Sequence, residues 1–142
     1  MPSGDGHKRG SLPSGATLPE RVLWALRQEK SPLGVYQLAH RLALATGAPH
    51  HPNSIYRVLN QLRAQKRALP VASAKGWIAR VDPDSVAIVL LCGECGCAAQ
   101  IGAGAVADEL CAVVSGKGFT PGQIHFEVLG RCRNCAERSS GN

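Results

Sequence analysis

From Pro19 onward apolar residues return at helical intervals, with Val22, Leu23 and Leu26 in a first run that Ser31-Pro32-Leu33-Gly34 closes. Val35, Leu38, Ala39 and Leu42 share one face of a second predicted helix, stopped at Gly47. After Ala48-Pro49-His50-His51-Pro52, a third helix carries Ile55, Val58, Leu59 and Leu62 at i, i+3, i+4 and i+7, with Asn53 or Ser54 as its expected cap. Two short extended runs follow, Leu69 to Ala72 and Trp77 to Val81, around a turn whose tip is Lys75. Three helices and a basic hairpin describe a winged helix.

Asp82-Pro83-Asp84 interrupts both periodicities and reads as a hinge. Beyond it, Val86 to Leu91 is continuously apolar and is expected to be a strand buried on both faces. A helix with Val106, Leu110, Val113 and Val114 on its inner side is predicted next, and Gln123 to Leu129 reads as a last strand. The fold class expected is therefore α/β (α+β), in two domains at residues 17–82 and 83–136. Residues 1–16 and 137–142 are expected to be tails, the first because its Gly, Ser and Pro cannot bury enough apolar surface to offset the entropy of ordering.

Charge separates the two halves further. Residues 1–83 hold twelve Lys/Arg against four Asp/Glu, and residues 84–142 hold four against six. The first half is the candidate for a polyanion. Its third helix supports this reading, since the face opposite the apolar stripe carries Ser54, Tyr56, Arg57, Asn60, Gln61 and Arg63, groups able to reach base edges and phosphates of double-stranded DNA. With only six aromatic residues, a surface that stacks single-stranded bases is disfavoured. No apolar run approaches a membrane span and Met1 to Gly15 lacks the core of a signal peptide, so a cytoplasmic protein with no membrane partner is expected.

The strongest chemical signal lies in the second half. Cys92-Gly93-Glu94-Cys95 and Cys132-Arg133-Asn134-Cys135 each turn two sulfurs toward one point, and together they complete the four-thiolate shell that Zn²⁺ favours. In a reducing compartment such pairs serve as metal ligands more often than as disulfides. One structural zinc per chain is expected, held by Cys92, Cys95, Cys132 and Cys135. Cys111 reads as a small apolar residue, while Cys97 is open between a spare ligand, an oxidisable thiol and an inert side chain, the last favoured. A thiol oxidoreductase is the rival class, ranked behind because Gly96 to Gly102 is poor in the helix-start chemistry that such a site needs after its first cysteine.

Several motifs in order resemble the ferric uptake regulator superfamily, most nearly its zinc uptake branch. They are Leu18-Pro19-Glu20-Arg21, Val35-Tyr36-Gln37-Leu38, Ser54-Ile55-Tyr56-Arg57-Val58-Leu59, Leu91-Cys92-Gly93-Glu94-Cys95-Gly96, and Gly118-Phe119 followed by Glu127-Val128-Leu129-Gly130-Arg131-Cys132. The resemblance implies a winged-helix DNA-binding domain joined to a dimerising α/β domain with a four-cysteine zinc site. It implies a homodimer that binds palindromic operators and represses genes of metal homeostasis, zinc above all, with no enzymatic activity. It assigns DNA contacts to Tyr56 and Arg57 and a backbone or minor-groove contact to Arg21. Ser54, Asn60, Arg63 and Lys75 complete the set of candidate DNA contacts.

The sequence departs from the family at one place. The positions of the hinge metal site that couples zinc to DNA affinity read Leu69, Arg80, Ser85 and Gln100, none a zinc ligand of the expected kind. The alternative expectation is therefore a member that keeps its structural zinc and has lost metal sensing.

Overall fold

The computed structural model describes residues 10–140, and the first nine residues of the expected leading tail lie outside the described residues. The chain divides into two compact units, Met1–Val81 and Asp82–Asn142.

The first unit contains α1 (Leu18–Arg27), α2 (Val35–Thr46), α3 (Pro52–Ala64), β1 (Ala68–Val71) and β2 (Gly76–Ala79). Thr17 caps α1 in a reciprocal box, its hydroxyl accepting from the Glu20 amide at 3.4 Å while the Glu20 carboxylate accepts from the Thr17 amide at 2.8 Å. Gly47 ends α2 at φ +73°, where a side chain would be strained. The cap of α3 is His51, followed by Pro52, and not Asn53 or Ser54 as expected. A proline is suited to the first helical position because it brings no amide hydrogen to satisfy there, and it moves the start of the helix upstream.

The apolar stripes meet as anticipated. Leu23, Leu38, Leu42, Ile55, Leu59 and Leu62 are all fully buried in one cluster. Each contributes on the order of 1.5–3 kcal/mol, so this unit carries an ordinary self-sufficient core. Part of the expected leading tail joins it: Ala16 is buried, and the Trp24 indole donates to the Gly10 carbonyl at 2.7 Å, which holds residues 10–16 against α1.

β1 and β2 pair antiparallel through Leu69↔Ile78 and Pro70↔Trp77. Their connection is a single 3-10 turn, Ala72–Ala74, followed by Lys75 in the left-handed region at φ +50°. A third edge comes from Leu33, whose amide donates to the Trp77 carbonyl at 3.0 Å and whose carbonyl accepts from the Trp77 amide at 2.8 Å. The α1–α2 connection is thereby sewn to the hairpin, and Gly76 lies at the seam.

The second unit contains β3 (Ala87–Cys92), β4 (Ala98–Gly102), α4 (Ala105–Ser115), β5 (Phe126–Gly130) and α5 (Arg133–Ser140). The sheet order is β4-β3-β5, with β4 antiparallel and β5 parallel to β3. Four expectations need correction. Residues 98–102 form a strand that the periodicity did not announce. The expected tail from residue 137 continues α5 through Ser140. β3 is not buried on both faces within the chain, since Val89 and Leu91 are enclosed while Leu90 is 37% exposed. The intended inner side of α4 is also open, with Val113 66% exposed and Ala107 the one buried residue of that helix. These apolar positions have the spacing of a buried face, but no element of this unit covers them.

Replacing Gly76 tests the seam. A Cβ there would meet Pro32 Cβ at 2.9 Å and Leu33 backbone atoms at 3.1 Å. Gly76→Val should destabilise the first unit by about 1–3 kcal/mol. Both tryptophans lie in this unit, so a urea titration followed by indole fluorescence reads the effect; an unchanged midpoint would refute the packing described.

Candidate metal centre and nucleic-acid surface

Strand pairing, more than the CxxC spacing, assembles the cysteines. The parallel register of β3 and β5 ends at Cys92↔Gly130, and the Gly93 amide donates to the Gly130 carbonyl at 2.9 Å. Both knuckles therefore leave the same end of the sheet. On the other side of β3 the antiparallel ladder reaches Leu91↔Ala98, so the next residues in each strand, Cys92 and Cys97, face one another across a tight loop. The Cys92 amide donates to the Cys97 carbonyl at 3.0 Å, and the Gly96 amide to the Cys92 carbonyl at 3.0 Å. Gly96 takes φ +79° to close that loop, a conformation for which glycine is suited.

The sulfurs of Cys92, Cys95, Cys97 and Cys132 all lie within 4.8 Å of one another. Cys95 and Cys132 are separated by 3.8 Å. Cys135, on the first turn of α5, is buried and its sulfur falls outside that group, although its amide donates to the Cys132 sulfur at 3.5 Å. Four sulfurs thus converge, with the fourth expected ligand beside them and Cys97 among them. Cys97, expected to be most simply an inert side chain, stands among these sulfurs because the β3–β4 hairpin, which the periodicity does not announce, returns the chain to this end of the sheet. Arg131 and Glu94 form an ion pair at 2.7 Å that links the two knuckles. Cys111, read as a buried apolar residue, is only half-buried on α4, away from this group.

Local hydrogen bonding divides the thiols. Amide hydrogens of Cys95 and Cys132 point at the Cys92 sulfur, the latter at 3.3 Å, and hold its pKa down to about 6. The Cys132 thiol is also lowered, first by the amide of Cys135. Cys97 is pushed up to about 12 by burial and by its thiol neighbours Cys95 and Cys132. Cys135 is raised chiefly by hydrogen bonding with Cys132. Without a cation, four thiols in one place cannot all ionise, because each new thiolate repels the last. A divalent ion removes that conflict, and the set of soft donors suits zinc. The thioredoxin arrangement is not met at the first pair, where a loop and a strand follow Cys92 and Cys95 in place of a helix.

The other candidate site lies in the first unit. On α3, Ser54, Tyr56, Arg57, Asn60 and Gln61 are exposed opposite Ile55, Val58, Leu59 and Leu62, and Arg63 is half-buried. Tyr56 leaves 53% of its surface in solvent, an unusual state for an aromatic ring on a helix with a complete apolar face. Lys75 stands exposed at the hairpin tip. Arg21 differs from these, being half-buried with its Nε enclosed and without a hydrogen-bond partner. Among the described residues no helix is long and apolar enough to cross a membrane.

No family profile and no curated protein matches the chain, so the likeness rests on three-dimensional structure. The crystal structure of holo XcZur is 25% identical and superposes with a TM-score of 0.77, covering 86% of this chain and 86% of that one. A zinc uptake regulator complexed with zinc and DNA is 22% identical at a TM-score of 0.78, covering 88% of this chain and 85% of that one. The ferric uptake regulator of Helicobacter pylori is 16% identical at a TM-score of 0.58, over 87% and 82% of the two chains. This chain therefore has the fold of the ferric uptake regulator superfamily, with a higher likeness to its zinc uptake members than to the iron regulator compared.

Proposed function

We propose that the chain is a DNA-binding transcriptional regulator, not an enzyme, that acts in the cytoplasm as a homodimer on palindromic operators and represses genes of metal homeostasis, zinc foremost. The observation that carries this reading is the likeness across most of both chains to a zinc uptake regulator complexed with zinc and DNA. It is supported by the polar face of α3, whose apolar side is entirely committed to the core. Tyr56, Arg57 and Asn60 are the proposed base-edge readers, while Ser54, Arg63 and Lys75 hold phosphates. Arg21 is proposed for the backbone and ranks below them because its Nε is already enclosed. The uncovered apolar side of α4 supports the homodimer, since a second copy would bury Val113 and Leu110 as their spacing demands.

Cys92, Cys95, Cys132 and Cys135 are the proposed holders of the zinc. Bound there, the metal supplies structural cross-linking. The protein's own part is to bring both knuckles to one sheet end and to aim amide hydrogens at the sulfurs of Cys92 and Cys132, which lowers the pKa of both thiols.

A second reading is favoured by a specific observation. Among the described residues the one group of His, Cys, Asp and Glu close enough to hold a metal is the cysteine cluster, and the expected sensing positions are Leu69, Arg80, Ser85 and Gln100. On this reading the zinc is structural and the regulator answers another signal.

Three measurements bear on these readings. Arg57→Ala should weaken binding to the DNA upstream of the chain's own gene by about 1–3 kcal/mol in a gel shift if it reads a base; unchanged affinity would remove Arg57 from the interface. Purified protein should hold about one zinc per chain, and titrating further zinc should leave operator affinity nearly constant. A strong, reversible zinc dependence at constant structural occupancy would instead restore sensing. Zinc competition with a chromophoric chelator should weaken as pH falls through about 6, where the Cys92 thiolate is protonated in the metal-free fold. An affinity independent of pH between 5 and about 8 would contradict a thiolate shell.

A further inference from the structure

We propose that Cys97 is a fifth thiol of the zinc site, and that Cys97 and Cys135 exchange at one coordination position while Cys92, Cys95 and Cys132 stay bound. The proposal rests on the structural zinc argued above. Zinc takes four sulfurs at about 2.3 Å, which sets neighbouring sulfurs about 3.8 Å apart in a tetrahedron. The Cys95–Cys132 separation of 3.8 Å already has that value. Cys97 belongs to the quartet of sulfurs mutually within 4.8 Å, whereas Cys135 stands buried beside Cys132, whose sulfur accepts from the Cys135 amide at 3.5 Å. Three sulfurs are thus common to two possible shells.

The backbone fixes why both candidates persist. The main chain of Cys97 is held opposite Cys92 by the 3.0 Å hydrogen bond across the hairpin loop, so a rotation of its side chain alone brings its sulfur to the metal position or takes it away. Cys135 is held by the first turn of α5, where the Ala136 amide donates to the Cys132 carbonyl at 2.9 Å. Cys97 is half-exposed and Cys135 is buried, so one approaches the metal from the solvent side and the other from within. In the exchange one zinc–sulfur bond forms as another breaks, and the proton on the incoming thiol passes to the outgoing thiolate. No electrons are transferred. The consequence is a site that keeps four sulfurs when either residue is blocked.

Cobalt reports the sulfur count directly, through its sulfur-to-metal charge-transfer absorption. The full chain and its Cys97→Ser, Cys135→Ser and doubly substituted forms would each be loaded with Co²⁺. Both single variants should keep the wild-type intensity, and the double variant should lose about a quarter of it, as four thiolates become three. If Cys97→Ser is unchanged while Cys135→Ser falls to the level of the double variant, Cys97 is no ligand and the proposal is overturned, with the zinc reading intact. The reverse pattern overturns the exchange, because Cys97 alone would then fill the position. A wild-type chain that takes up no cobalt removes the zinc reading and this proposal together.

Should Cys135→Ser fail to fold, the unaltered chain supplies the same decision. Zinc loading should slow alkylation of Cys97 by N-ethylmaleimide, mapped by peptide mass spectrometry, while Cys111 reacts at its metal-free rate. A Cys97 rate indifferent to zinc overturns the proposal.

Discussion

The second unit has too little apolar interior to specify itself. Its buried residues are Val89, Leu91, Ala103 and Ala107 together with Cys92 and Cys135, whereas the first unit fully buries six large aliphatic side chains. Small domains in this condition need a metal, a disulfide or a partner. Backbone pairing brings ends of β3, β4 and β5 to one edge of the sheet, where four sulfurs collect and Cys135 lies beside them. A cross-link at that point would tie the β3–β4 loop to the segment after β5 and to α5, fastening two connections and a helix at once. The open apolar side of α4 is the remaining deficit, and it is of the kind that a second copy of the chain would cover.

The two units divide the physical work. The first has a closed core and positive charge, so its surface residues are free to serve a ligand without cost to folding. Tyr56, Arg57 and Asn60 can all be exposed because Ile55, Val58, Leu59 and Leu62 alone anchor α3. The Leu33–Trp77 bridge extends this economy to the hairpin, which is held to the α1–α2 connection by two hydrogen bonds and leaves Lys75 outward. The second unit inverts the pattern, with its most reactive groups, the thiols, gathered on one another.

Much of this was legible in the sequence, and the parts that were not have identifiable causes. The three helices announced themselves because their apolar residues recur with strict spacing and pack against one another. The α3 cap was misplaced because Asn53 and Ser54 have stronger capping chemistry than His51, and the position of Pro52 outweighed it. Residues 98–102 escaped notice because Ala98, Ala99 and Gly102 have little strand preference; the strand exists through its ladder with β3. Cys97 is brought to the sulfur cluster by the same hairpin, so its place there is not legible from CxxC spacing. The exposed valines of α4 have the spacing of a core face, and apolar periodicity alone does not say what covers such a face.

The claim on which the account turns is that one metal ion is enclosed by sulfur alone. X-ray absorption at the zinc edge of the purified chain tests it most directly. The account predicts four sulfur scatterers at about 2.3 Å with no nitrogen or oxygen neighbour. A shell containing nitrogen or oxygen, or a folded second unit with no zinc at all, would contradict it.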